Sequence, residues 1–274
     1  VWAVDRDPSA VSSAAALVDE YAGRLTVIEG RFGDMARILA ESGVAVVDGI
    51  ALDLGVSSMQ LDDAKRGFSF RNDGPLDMRQ EQYGRSAADV VNEIEESVLA
   101  DIIYQYGEER QARRIARAIV AARAEGPLTR TMELAEIVRN TYRGGRNTKT
   151  DPATKTFQAI RIHVNDELGE LERGLEAAEI LLAPGGRLAI VSFHSLEDRI
   201  VKEFLRAHSN GQPAGSRHLP AADTNTADPV FRLIKFGAIK PSHEEEKRNP
   251  RSRSARLRVA ERTDAPATKS VGGL

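Results

Sequence analysis

The chain has 274 residues, 41% of them hydrophobic and 29% charged, with a formal net charge of −3. That balance describes one large or two modest globular domains and excludes a protein that is basic over its whole surface, though not a local basic face. There is no cysteine, which excludes disulfides and thiolate metal sites and fits a reducing compartment; no apolar run approaches roughly 18 residues and no signal peptide is visible, so no membrane span is expected.

The sequence opens at once on a strand-like segment, Val1-Trp2-Ala3-Val4-Asp5, with no initiator Met, and the expectation is that an N-terminal piece is missing. Pro8 can open a helix, and residues 11–21 read as helical with Ala14, Leu17 and Val18 inward. Residues 25–29 form a short second strand and 34–42 a short helix. Residues 44–54 make the third strand, and their apolar character on both faces predicts a parallel strand covered on both sides. This β-α-β-α-β alternation favours a doubly wound sheet.

The pattern then changes. Residues 86–164 carry helices and no convincing strand, and read as an all-helical insertion. Ser86-Ala87-Ala88-Asp89 is a capping box in its Asp form, Gly107 reads as a helix stop, Thr131 opens a helix, and Asp151-Pro152 opens another. The α/β pattern resumes with Leu168, Leu171, Leu175, Ala178 and Leu182 at helical spacing. A turn at residues 183–186 leads into a strand over 187–193, a helix over 196–207, a polar loop over 208–228, and two late strands over 231–236 and 255–260. The expected domains are 1–84 and 164–262 for the α/β part, 85–163 for the insertion, and a disordered tail over 263–274.

Candidate functional residues gather at strand ends, where open α/β sheets bind ligands. Asp53 ends the third strand and is followed by Gly55, Ser57, Ser58 and Gln60; the bland alternative is a loop whose side chains cap a helix. Asp5 ends the first strand, where a carboxylate can accept ribose hydroxyls or merely cap a turn. Phe32 follows the second strand as an aromatic wall or a core residue. Ser192-Phe193-His194-Ser195 could hold a planar base by stacking and hydrogen bonding, or His194 could cap the next helix. Five scattered histidines, His163, His194, His208, His218 and His243, show no metal spacing, so no metal is expected. Arg110, Arg113, Arg114 and Arg117 share a helical stripe, and Arg143, Arg146, Lys149, Lys155 and Arg161 extend a positive set that is either a phosphate contact or a solvated face. A second basic run spans residues 247–253.

Several motifs coincide with one family: Ala3-Val4-Asp5-Arg6-Asp7-Pro8; Leu52 through Arg79, with Arg66-Gly67-Phe68-Ser69-Phe70 and Asp73-Gly74-Pro75-Leu76-Asp77-Met78-Arg79; Tyr106-Gly107-Glu108-Glu109-Arg110; Pro152 through Ala159; Ser192 through Arg199; and Asn249-Pro250-Arg251-Ser252-Arg253-Ser254. Along nearly its whole length the chain resembles the bacterial 16S rRNA cytosine-N4 methyltransferases of the RsmH or MraW type. The resemblance implies a class I Rossmann-like methyltransferase sheet with a helical insertion, S-adenosyl-L-methionine as cofactor, and a cytidine N4 amine in the decoding region of 16S rRNA as acceptor. By motif position Asp5, Phe32, Asp53 and Gln60 match cofactor-binding residues. The family's Gly-Gly-His segment after its first strand is absent, so the expected missing piece includes that central strand and the glycine loop. Asp53, Ser57, Ser58 and His194 are the catalytic candidates, and Phe193, Arg110, Arg113 and Arg117 the RNA-binding ones. The implied setting is the cytoplasm and the small ribosomal subunit, with no membrane and with a homodimer left open. A nicotinamide (NAD)-dependent Rossmann oxidoreductase and an inactive RNA-binding fragment are the competing readings.

Overall fold

The computed structural model describes residues 1–142, 150–209 and 228–268. In chain order the elements are β1 (Trp2–Asp5), α1 (Pro8–Ser13), α2 (Ala15–Glu20), β2 (Thr26–Glu29), α3 (Met35–Glu41), β3 (Val47–Asp53), α4 (Ser58–Asp62), α5 (Ala87–Glu93), α6 (Glu96–Gly107), α7 (Ala112–Glu125), α8 (Thr131–Thr141), α9 (Ala153–Asn165), α10 (Glu167–Leu181), β4 (Leu182–Ser192), α11 (Ser195–Ser209), β5 (Phe231–Leu233), α12 (His243–Arg248) and β6 (Arg256–Arg262). The protein is a mixed α/β molecule. Among the described residues no helix is long and apolar enough to cross a membrane.

The chain forms two compact units. One comprises Val1–Asp5, Thr26–Gly55 and Leu168–Leu274. It holds a parallel pair, β1 and β2, registered from Trp2↔Thr26 to Asp5↔Glu29, and a four-stranded sheet in the order β3-β4-β6-β5. β3 and β4 run parallel, while β6 is antiparallel to both β4 and β5. Apolar residues on alternate positions of β4, Leu188 and Ile190, and the inner stripe of α10, Leu171, Leu175 and Ala178, share one core with Phe231 and Ala260.

Three expectations change in this unit. Of β3 only Leu52 is buried, and Asp48, Gly49, Ala51 and Asp53 are exposed; the strand pairs with β4 alone and leaves its other edge open, so an apolar run here did not mean cover on both faces. β4 starts at Leu182 rather than at 187, because Val47↔Leu182 already pairs; the register then jumps to Gly49↔Arg187, so residues 183–186 bulge from the ladder. Thr263 and Thr268, placed by sequence in a disordered tail, are held: the Thr263 amide donates to Val230 O at 2.9 Å and the Thr268 amide to Glu179 Oε1 at 2.6 Å. Residues 210–227 of the polar loop and 269–274 of the tail lie outside the described residues.

The second unit comprises Arg6–Leu25 and Val56–Glu167. Its core is made by α5 to α9, with Val91, Leu99, Ile103, Ile115, Ile119, Leu134 and Ile160 fully buried. The capping box at Ser86 and Asp89 forms as read. α1 and α2 contribute nothing to this core: Leu17, expected inward, is 48% exposed and neither helix has a buried residue. Gly107 is not a left-handed stop. It is the last helical residue, and Glu108 takes the left-handed conformation at φ 48°. The glycine is there for close approach, since a Cβ would lie 2.7 Å from the Lys155 carbonyl oxygen of α9.

Candidate active site

Parallel pairing sets the site in the first unit. Asp53 pairs with Val191, so β3 and β4 end side by side. Beyond β3 the chain turns at Gly55, whose φ of +91° favours glycine. A Cβ there would lie 3.9 Å from the Phe193 ring and 4.0 Å from Glu197 Oε1, so the two strand-end loops lie against one another.

Glu197 organises that end. It is 2% exposed and stands in the first turn of α11. Its Oε2 accepts the Phe193 and His194 amides at 2.8 and 3.2 Å, while its own amide donates to His194 Nδ1 at 3.4 Å. This is a capping box with an imidazole in the place of a hydroxyl. Nδ1 accepts, so the neutral ring carries its proton on Nε2. Nε2 is 3.2 Å from Glu197 Oε1 but is not aligned with it: it is a buried atom without a hydrogen-bond partner among the described residues. Asp53 stays open to solvent. Partial burial, the larger cause, and the negative charge of Glu197 both push its carboxyl above the ordinary aspartate range.

Asp5 closes β1, exposed, with its carbonyl accepting the Gly30 amide at 3.0 Å. Phe32 is half-buried against the core of this unit, its ring so close to α10 that a Cβ on Gly174 would lie 2.5 Å from it. Next to it the Gly33 amide donates to the buried Glu170 carboxylate at 2.6 Å. Glu197 and Glu170 are the residues sequence reasoning missed. For Glu197 the spacing His194-Ser195-Leu196-Glu197 was a usable signal, because a glutamate three residues past a cap is the capping-box pattern.

Ser57, Ser58, Gln60 and the arginine stripe belong to the second unit. Ser57 caps α4: its Oγ accepts the Gln60 amide at 3.1 Å, and Gln60 Oε1 accepts the Ser57 amide at 2.8 Å. Gln60 Nε2 donates to Asp7 Oδ2 at 2.7 Å, and Arg66 pairs with the same oxygen at 2.7 Å. Burial drives the Asp7 carboxyl upward, but the hydrogen bonds from Gln60 and Arg66 outweigh it and hold its pKa below the ordinary range. Asp7 also caps α1 by accepting the Ser9 amide at 2.9 Å. Ser58 is exposed.

Arg110 and Arg113 are exposed and have no ion-pair partner among the described residues, whereas Arg117 approaches Glu96 at 3.7 Å. Two members of the positive set are structural: Lys155 donates to Glu108 O at 2.9 Å, and Arg161 pairs with Glu167 at 2.7 Å with both side chains largely buried. Arg143, Arg146 and Lys149 lie outside the described residues.

An α/β sheet with polar groups gathered beyond its parallel strand ends has the layout in which proteins of this class seat ligands. Residues 1–263 match the MraW methylase family, and the chain belongs to that family of methyl-transferring enzymes. It is 62% identical over 269 residues to ribosomal RNA small subunit methyltransferase H of Rhodospirillum centenum, which covers 98% of this chain and 81% of that protein. The proteins of the same name from Paramagnetospirillum magneticum and Methylobacterium nodulans are 59% and 56% identical, over 99% and 100% of this chain and 85% and 80% of theirs. A methylase requires a methyl-donor cofactor.

Proposed function

We propose that the protein transfers a methyl group from S-adenosyl-L-methionine to the N4 amine of a cytidine in the decoding region of 16S rRNA, in the cytoplasm. The observation that carries this reading is the cluster at the ends of β3 and β4. An open carboxylate at Asp53, an aromatic and an imidazole at Phe193 and His194, and a buried Glu197 stand together in a chain whose relatives are named as small-subunit rRNA methyltransferases. This family membership leaves the nicotinamide-dependent reading without support.

The residues present fit the donor. Asp5 and Asp53 offer carboxylates suited to hydroxyl and amino groups, and Phe32 an aromatic face. Asp5, Phe32 and Asp53 are assigned to the cofactor; Gln60, matched to it by motif position, has both ends of its amide engaged by Ser57 and Asp7. When bound, it supplies an electrophilic methyl on a sulfonium.

The protein's own task is to hold the amine in line with that methyl, which is the larger part of the acceleration in such a displacement. The N4 lone pair is delocalised into the ring. Acceptors for the amino hydrogens, namely Asp53, backbone carbonyls and Ser57 or Ser58, localise it and stabilise the positive charge that develops on nitrogen. Phe193 stacks on the base and His194 fixes its edge. The insertion expected over residues 85–163 holds the RNA through Arg110, Arg113 and Arg117; in sequence it stands between the expected methyltransferase stretches, 1–84 and 164–262.

The open edges of β1 and β3 are completed in this reading by a further parallel strand bearing the glycine loop. Their exposed or half-buried residues support it. The decisive experiment is methyl incorporation from labelled donor into undermethylated small subunits, with nucleoside mass spectrometry of the product. N4-methylcytidine in the 16S decoding region is the expected result. Donor binding without incorporation overturns the substrate assignment.

A further inference from the structure

The basic run before the last strand plays no part in the site described above, yet the sheet delivers it there. Arg256 pairs with Ser192 and Leu257 with Val191. The residues before Arg256 therefore lie beyond the same end of β4 that carries Phe193 and His194. They are ordered into a turn: Pro250–Ser254 forms a 3-10 helix with the buried Ser252 hydroxyl donating to Asn249 O at 2.8 Å.

On the far side of β6, Ile234 N donates to Val259 O at 3.2 Å, and Ile239 and Leu257 exchange hydrogen bonds at 2.8 and 2.9 Å. Residues 235–238 must loop out between these two anchors. At the tip stands Phe236, 87% exposed, beside Ile234 at 47%. A single exposed apolar side chain is ordinary, but two together on one loop make a small apolar patch available for contact.

Its surroundings say with what. Between residues 235 and 253 six lysines and arginines face three glutamates. Lys235, Lys240, Lys247, Arg248 and Arg253 are exposed and engage no ion pair among the described residues. An aromatic flanked in its own loop by Lys235 and Lys240 matches a polyanion with unpaired bases rather than an apolar protein face. The anchors of its loop, Ile234 and Ile239, lie two strand spacings from β4, about 10 Å, a distance that about three nucleotides span at roughly 3.4 Å per stacked step.

We propose that the 235–240 loop and the 247–253 turn form a binding surface for the single-stranded RNA flanking the methylated nucleotide. In it Phe236 stacks on a base and Lys235, Lys240, Lys247, Arg248 and Arg253 neutralise phosphates. The inference rests on the rRNA reading above, but its test does not depend on methyl transfer.

The test titrates the protein with a fluorescein-labelled unstructured RNA of about 12 nucleotides over a salt series. Phe236→Ala is expected to weaken binding about ten-fold and Phe236→Trp to preserve it, since the loss of one base stack is of that order. Lys247→Glu with Arg248→Glu should reduce the slope of log affinity against log salt by about 1.4, two phosphate contacts on a single strand. Circular dichroism confirms that each variant is folded. Affinity and slope unchanged in all three variants overturn the surface, as does a ring that mediates concentration-dependent association of two protein copies instead. RNA binding that follows the predicted pattern without methyl incorporation supports the surface and overturns the substrate assignment. Methyl incorporation with indifferent variants overturns the surface alone.

Discussion

Glu197 is the residue on which the site's electrostatics turn. A carboxylate 2% exposed persists in a protein only when its lone pairs are occupied, and two backbone amides do that here. Its charge then acts on Asp53, whose raised pKa owes first to partial burial and then to Glu197. Replacing Glu197 by Gln keeps an acceptor for the amides and removes the charge, so the Asp53 pKa should fall towards its ordinary value. In the folded protein Asp53 holds its proton more tightly than in the unfolded chain. The stability this supplies is present at low pH and is lost as pH rises through the folded pKa. The Glu197→Gln variant should therefore lose less stability between acid and neutral pH, and the acid limb of methyl transfer should move to lower pH. Carboxyl carbon NMR of Asp53 checks the cause directly; a titration midpoint that does not fall would show that the two carboxylates are not coupled.

At the scale of elements, α6 and α9 show how a residue can be right and its reason misread. Gly107 suggested a helix stop because glycine often adopts the left-handed conformation that ends helices. In the structure Glu108 takes that role, and Gly107 lets two backbones meet. Alanine normally improves a helical position over glycine by about 1 kcal/mol. Here its Cβ would meet a carbonyl oxygen at 2.7 Å, which cannot swing aside as a side chain can. Gly107→Ala is expected to destabilise by about 1–3 kcal/mol, as overpacking does, and urea denaturation reads both sign and size. The elements that were legible carried local signals: the capping box at Ser86 and Thr131 as the first residue of α8. Those misread depend on what pairs with what. The apolar residues of β3 do not say that one edge is unpaired, and the stripe on α1 and α2 does not say that nothing buries it. The strand-end placement of Asp53, Phe193 and His194 was legible from the apolar runs that precede them, and the capping alternative weighed for His194 is the contact it makes, accepting the Glu197 amide. Glu170 was not legible, because a charge on an amphipathic helix looks solvated until tertiary structure buries it; Glu197 carried a capping-box spacing that went unread.

The whole molecule carries two separate cores, one built on α5 to α9 and the other between the four-stranded sheet and its helices. Each unit is discontinuous in sequence, so cooperativity cannot follow the order of the chain; it must follow the packing. Ile103 is wholly buried in one core and Leu175 99% buried in the other. Truncating either to alanine should cost about 2–5 kcal/mol, the usual range when a large aliphatic side chain leaves a cavity. Where that cost falls is the informative part. Amide exchange is governed by the cheapest opening that frees each amide, and such openings follow units that share a core. Ile103→Ala is therefore expected to speed exchange in α6, α7 and α9 while β4 and β6 keep their protection, and Leu175→Ala to do the reverse. Peptide-level hydrogen exchange resolves the two patterns. Equal loss of protection across both cores in either variant would mean that the chain opens only as one, and that the helices credited with RNA binding cannot loosen without the strand ends credited with methyl transfer loosening too.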